Sequence, residues 1–93
     1  MTPRQEVYAA LDSERDYQDS RWGATLSANR VPGPGQEGGD RSLDEFVLYM
    51  KGYVDDAVAK ASHFVDKVAV LDIIRKVTAL GVACMEQHGA PRR

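Results

Sequence analysis

Between Asp66 and His88 the apolar positions cover more than half of a helix circumference, and this feature restricts the possible folds more than any other. Projected at ~100° per residue, the arc runs from Leu80, Ile73 and Cys84 at one edge through Val77, Val70 and Gly81 to Ile74, Met85, Leu71 and Val82. One antiparallel neighbour cannot cover so wide an arc. The segment therefore needs more than one neighbouring surface.

The remaining punctuation is also helical. Thr2 precedes Pro3, with Gln5 three residues after the threonine: a hydroxyl cap, a proline in the first turn and a capping-box partner, which open a first helix over about 3–21. Ser42-Leu43-Asp44-Glu45 is a second capping box. From it Phe46, Val47, Met50, Tyr53, Val54, Ala57 and Val58 recur at helical spacing, which predicts a second helix over about 43–62, with its main apolar face around Met50 and Val54. Asp66 caps a third helix over about 66–88, which stops at Gly89 with Pro91 beyond it. Between the first two helices, about 23–41, the run Val31-Pro32-Gly33-Pro34-Gly35-Gln36-Glu37-Gly38-Gly39 excludes helix and central strand and reads as a flexible loop. Its glycines do not form a phosphate cradle of the usual kind, since no Gly-Lys-Ser/Thr follows and no strand precedes.

The expected fold is all-α, a single domain over 1–93 built as a small three-helix bundle. A chain of 93 residues buries only roughly 60 to 65% of its unfolded surface. The third helix has more apolar surface than two neighbours can hide, and the second carries Leu48, Gly52 and Ala59 opposite its main face. Gly52 costs about 1 kcal/mol inside a helix, either tolerated on a solvated face or kept because another backbone approaches. These surfaces predict a dimer or higher homo-oligomer, a larger helical bundle assembled from copies of the chain.

Charge and cysteine content narrow the partners. The formal net charge is -2, which argues against general nucleic-acid binding and against capture by an anionic membrane. No apolar run approaches the ~20 residues that span a bilayer, and the start of the chain lacks the pattern of a signal peptide. Cys84 is the single cysteine; it lies on the apolar arc and reads as a packing residue in a reducing cytoplasm. His63 and His88 lack a cysteine or histidine at ligand spacing, so zinc is not expected.

The first helix carries the functional signal. Val7, Tyr8 and Leu11 define a buried side in its first two turns, but the same stripe continues through Glu14, Arg15, Gln18 and Trp22. Polar groups on an inward surface need partners: either they pair with one another as an ion-pair network, or they meet something polar brought into the structure. Glu14, Tyr17, Gln18, Arg21 and Trp22 are the candidate ligand-binding residues, because an arginine beside aromatic rings suits an anion that carries a base.

The segment Glu-Arg-Asp-Tyr-Gln-Asp-Ser-Arg-Trp-Gly at 14–23 resembles the opening of small phage and prophage proteins grouped as MazG-like, and Leu71 to Gly89 is similar to their last helix. Ser42 to Met50 extends the likeness to the middle helix. The resemblance implies an all-α nucleotide pyrophosphohydrolase scaffold, a nucleotide-type ligand and, for a phage-encoded chain, the host cytoplasm. It also implies two magnesium ions held by paired acidic motifs on facing helices, since hard cations need several converging carboxylate oxygens. Here those motifs are eroded: Lys51 stands among Met50, Gly52, Tyr53, Val54, Asp55 and Asp56 where an acid is expected, and Arg75 replaces the second acid after Asp72.

Three functional expectations follow. The first is a non-catalytic nucleotide-binding protein on a MazG-like scaffold, without a cofactor, that sequesters a host signalling or precursor nucleotide. The second is a magnesium-dependent nucleoside triphosphate pyrophosphohydrolase drawing on Asp55, Asp56 and Asp72. The third is an anti-defence protein-interaction module that inhibits a host complex.

Overall fold

In the computed structural model, which describes residues 1–23, 41–62 and 66–93, the third helix of the chain is the axis against which the other two pack. These helices are α1 (Pro3–Gln18), continued by a π-helical segment (Asp19–Gly23), α2 (Leu43–Ser62) and α3 (Lys67–His88). The architecture is all-α, with no strand among the described residues. Both α1 and α2 pack on α3, and α1 and α2 do not pack on each other. The predicted loop lies almost wholly in 24–40, outside the described residues, as does His63.

The helix starts are set by local chemistry. Thr2 Oγ1 accepts from the Gln5 backbone N–H (3.2 Å) while Gln5 Oε1 accepts from the Thr2 N–H (2.8 Å), a complete capping box. At α2, Ser42 Oγ accepts from the Glu45 N–H (3.2 Å), and the Glu45 carboxylate accepts in return from the Ser42 N–H (3.4 Å). Asp66 Oδ1 accepts from the Val68 N–H (2.9 Å) at the head of α3. Gly89 ends that helix at φ 109°, a left-handed angle that favours glycine, and its N–H donates to the Met85 carbonyl.

The first helix departs from expectation at both ends. It does not stop as an α-helix near Arg21: Asp19 keeps right-handed angles (φ -63°, ψ -42°), its N–H is shared between the Arg15 and Asp16 carbonyls, and the coil widens into π geometry through Gly23. At the other end, Val7 and Tyr8 are not buried. They are 56% and 60% exposed, and every residue from 1 to 10 is exposed; the residues of α1 that are buried are Leu11, Glu14 and Gln18.

The core joins α2 to α3. Phe46, Leu80 and Ala83 are buried together, with Met50, Tyr53 and Cys84 packed around them. The inward stripe of α2 is therefore Phe46, Met50, Tyr53 and Ala57, rotated away from Val54, which is 47% exposed. Met50 reaches across to α3, its Cε lying 3.6 Å from where a β-carbon on Gly81 would stand. On α3, Ile73, Ala79, Leu80 and Ala83 are buried, whereas Leu71, Ile74 and Met85 at the far edge of the arc are exposed. Two neighbours on one axis leave that edge uncovered, as the width of the arc requires.

Candidate functional site

The polar stripe of α1 meets α3 through reciprocal ion pairs. Glu14 on α1 is only 8% exposed, and its Oε1 accepts from Arg75 Nε on α3 (2.9 Å). Arg15, the next residue, reaches the other way: its Nε and Nη2 donate to the two carboxylate oxygens of Glu86 (2.9 and 3.0 Å), a two-pronged contact of the kind that planar guanidinium favours. The same Nη2 also donates to Asp19 Oδ1 (2.9 Å), and Nη1 donates to Gln18 Oε1 (3.2 Å).

Gln18, 3% exposed, completes the network by donating its amide to the Lys76 carbonyl (3.3 Å). No buried side-chain nitrogen or oxygen among the described residues lacks a hydrogen-bond partner. Charge sharing shifts the equilibria in the direction this geometry requires. The hydrogen bond from Arg15 holds the Glu86 carboxyl below its ordinary value against the opposing effect of burial, and Glu86 in turn raises Arg15. Arg75 is raised by Glu14 first and by Asp72 second.

Beside this network lies an open cleft of about 250 Å³, lined by Glu14, Tyr17, Gln18, Arg21, Tyr53 and Lys76. It exists because α1 and α2 each pack on α3 but not on each other, so the surface of α3 at Lys76 floors a gap between them. Four of the five residues singled out on α1 and its π-helical continuation line it. The fifth, Trp22, follows Arg21 on the π-helical backbone, and its side chain lies outside the described residues.

The four differ in what they offer. Glu14 and Gln18 are engaged by Arg75, Arg15 and the Lys76 backbone. Tyr17 is 55% exposed, and the Arg21 side chain makes no hydrogen bond or ion pair among the described residues. The π-helical widening carries Arg21 to the cleft, and a π segment at such a position is a recurring feature of binding sites. The buried half of the polar stripe thus forms an ion-pair network, and its exposed edge faces a hollow.

Two lining residues escaped the sequence reading. Tyr53 follows the apolar spacing of α2 and reads as packing, and Lys76 reads as half of a surface pair with Asp72. Lys76 does pair with Asp72 (3.2 Å), yet it also borders the cleft. Nothing in either residue's own sequence neighbourhood signals this, because the cleft is made by the spacing of three helices.

The acidic residues required for magnesium are arranged differently. Asp55 pairs with Lys51 (2.7 Å), Asp56 with Lys60 (3.1 Å), and Asp72 with both Arg75 and Lys76. Hydrogen bonds from Lys76 and then Arg75 hold the Asp72 carboxyl below its ordinary range. Each carboxylate faces a cation of its own helix, and no three metal-ligating side chains among the described residues converge. This donor set does not fit a two-magnesium centre.

No helix of the described residues is long and apolar enough to cross a membrane. No known protein family, curated protein or solved structure matches the chain.

Proposed function

We propose that the chain is a non-catalytic binding protein for a nucleotide-type anion, held in the cleft between α1 and α2. The observation that carries this reading is the composition of that cleft: two tyrosines, Tyr17 and Tyr53, beside two cations, Arg21 and Lys76, over a polar floor. Tyrosine faces stack on bases regardless of sequence, and a guanidinium recognises phosphate oxygens with two parallel donors. The carboxylates that metal-dependent hydrolysis would need are neutralised by neighbouring cations, which favours binding over cleavage. The MazG-like scaffold, the phage or prophage origin and the sequestration of a host signalling or precursor nucleotide belong to the same proposal and rest on the resemblance at 14–23, 42–50 and 71–89.

The same proposal includes self-association. Met50 and Gly81 mark where one edge of α2 adjoins one edge of α3. On helical projection Val47, Val54 and Val58 continue outward from Met50, and Ile74 and Met85 continue outward from Gly81, all of them exposed. They form an apolar strip on the two-helix pair, away from the cleft. A second copy presenting the same strip would turn two helices into four, the arrangement in which such strips are covered.

Isothermal titration with AMP and ATP tests the binding reading. Saturable binding is expected, weakened about tenfold or more by Arg21→Ala and by Tyr17→Ala, each checked for an unchanged helical circular dichroism spectrum. Absence of heat at high protein concentration would overturn it.

A further inference from the structure

Tyr53 also lines a second hollow of about 200 Å³, together with Arg41, Tyr49 and Leu80. The two hollows share Tyr53 as a wall and step together along both helices: Tyr53 to Tyr49 is one turn of α2, and Lys76 to Leu80 is one turn of α3. One turn is a step of about 5 to 6 Å along each helix, so the two hollows adjoin at Tyr53.

Size and chemistry both argue for a shared occupant. Each hollow alone falls below the roughly 300–1,000 Å³ typical of small-molecule sites, and joined past Tyr53 they enter that range. Each repeats the same pair of features. The first sets Tyr17 beside Arg21; the second sets Tyr49 beside Arg41, whose guanidinium carbon stands 4.4 Å from the centroid of the Tyr49 ring. With Tyr53 between them, three of the four tyrosines in the chain border this groove.

The second hollow is also held in place. The Arg41 N–H donates to Gln87 Oε1 (3.1 Å), and the Arg41 carbonyl accepts from His88 Nε2 (2.7 Å), which ties the entry to α2 onto the end of α3. Leu80, 3% exposed, gives this hollow an apolar floor suited to the face of a ring.

We infer that the groove takes a ligand with two base-and-phosphate halves, a dinucleotide, with one half at Tyr17, Arg21 and Lys76 and the other at Tyr49 and Arg41. A repeated aromatic-plus-cation pair matches a repeated base-plus-phosphate unit. A nucleoside triphosphate, with one base and its charge at one end, leaves one tyrosine face unused. This inference rests on the binding reading above and names the ligand class of the same site.

Titration of the full chain with AMP, ATP and 5′-phosphorylated adenylyl-adenosine (pApA) separates the two claims. The expected result is one pApA per chain, bound at least tenfold more tightly than either AMP or ATP and displacing AMP in competition. Arg41→Gln and Tyr49→Ala are each expected to collapse that ratio toward one, with thermal melts by circular dichroism establishing that the variants are folded. If AMP binds and pApA binds no more tightly, the two-lobed groove is refuted while the binding reading stands. If ATP matches pApA, charge alone accounts for affinity and the inference falls. A ratio that survives in both folded variants refutes the placement of the second half, and failure of all three ligands to bind removes both readings.

Discussion

Glu14 and Arg75 face each other across the α1–α3 interface at 2.9 Å, with the carboxylate almost fully enclosed and the guanidinium partly open to solvent. Removing the arginine leaves a buried carboxylate without its cation. Arg75→Met is expected to destabilise the chain by about 2 kcal/mol, read as a lower urea midpoint. Replacing both members, Glu14→Leu with Arg75→Met, should cost less than the single change, because the unpaired charge is then gone. A double variant less stable than the single one would contradict this account.

Acid should loosen the same interface. The Glu86 carboxyl has an ordinary value of 4.5 and is held lower by Arg15 in the folded chain. The unfolded chain therefore takes up the proton first as pH falls, so the contribution of this pair is complete above about pH 4.5 and is lost as pH drops through the lower folded value. Asp72, depressed by Lys76 and Arg75, acts in the same sense. Thermal melts between pH 3 and 7 should show a falling acid limb, shallower in Glu86→Gln. An acid limb of unchanged slope in that variant would remove Glu86 from the explanation.

Gly52 sits in the middle of α2 with nothing within 4 Å of the position a β-carbon would take. Gly52→Ala is expected to stabilise the helix by about 0.5 to 1 kcal/mol, seen as a raised melting temperature. A lowered melting temperature would mean that another backbone packs there, the alternative that the sequence left open.

Association through the strip of Val47, Val54 and Val58 predicts a sedimentation coefficient above that of a single chain at tens of micromolar. Val54→Asp should return the protein to single chains, since an unpaired carboxylate in an apolar interface carries a desolvation cost that a solvated surface does not. Wild-type chains that sediment singly at high concentration would dispose of the assembly proposal while leaving the cleft untouched.

The helix count and the capping sites were legible because their causes are local. A capping box needs residues three apart, and both boxes appear as reciprocal hydrogen bonds. The width of the apolar arc on α3 likewise announced more than one neighbour, since amphipathicity is a property of a single segment. Reading Val7 and Tyr8 as buried failed because periodicity identifies a stripe but not how far along it a neighbour extends. Placing Val54 at the centre of the α2 face failed for a related reason: Val54 and Tyr53 are both apolar, and only contact with Leu80 and Ala83 decides which turns inward.

The candidate site divides along the same line. Residue order alone required that Glu14, once turned inward, find a cation or a polar ligand, because an enclosed charge without a partner is unstable. It could not say that Arg75 would be that cation, sixty-one residues away. Nor could it show that Tyr17 and Arg21 would face Tyr53 and Lys76 across a gap, since that gap arises only when two helices rest on a third without touching each other. Local bonding along the backbone determined the helices and their polarity; the packing of one helix against two determined which side chains are satisfied and which are left facing open space.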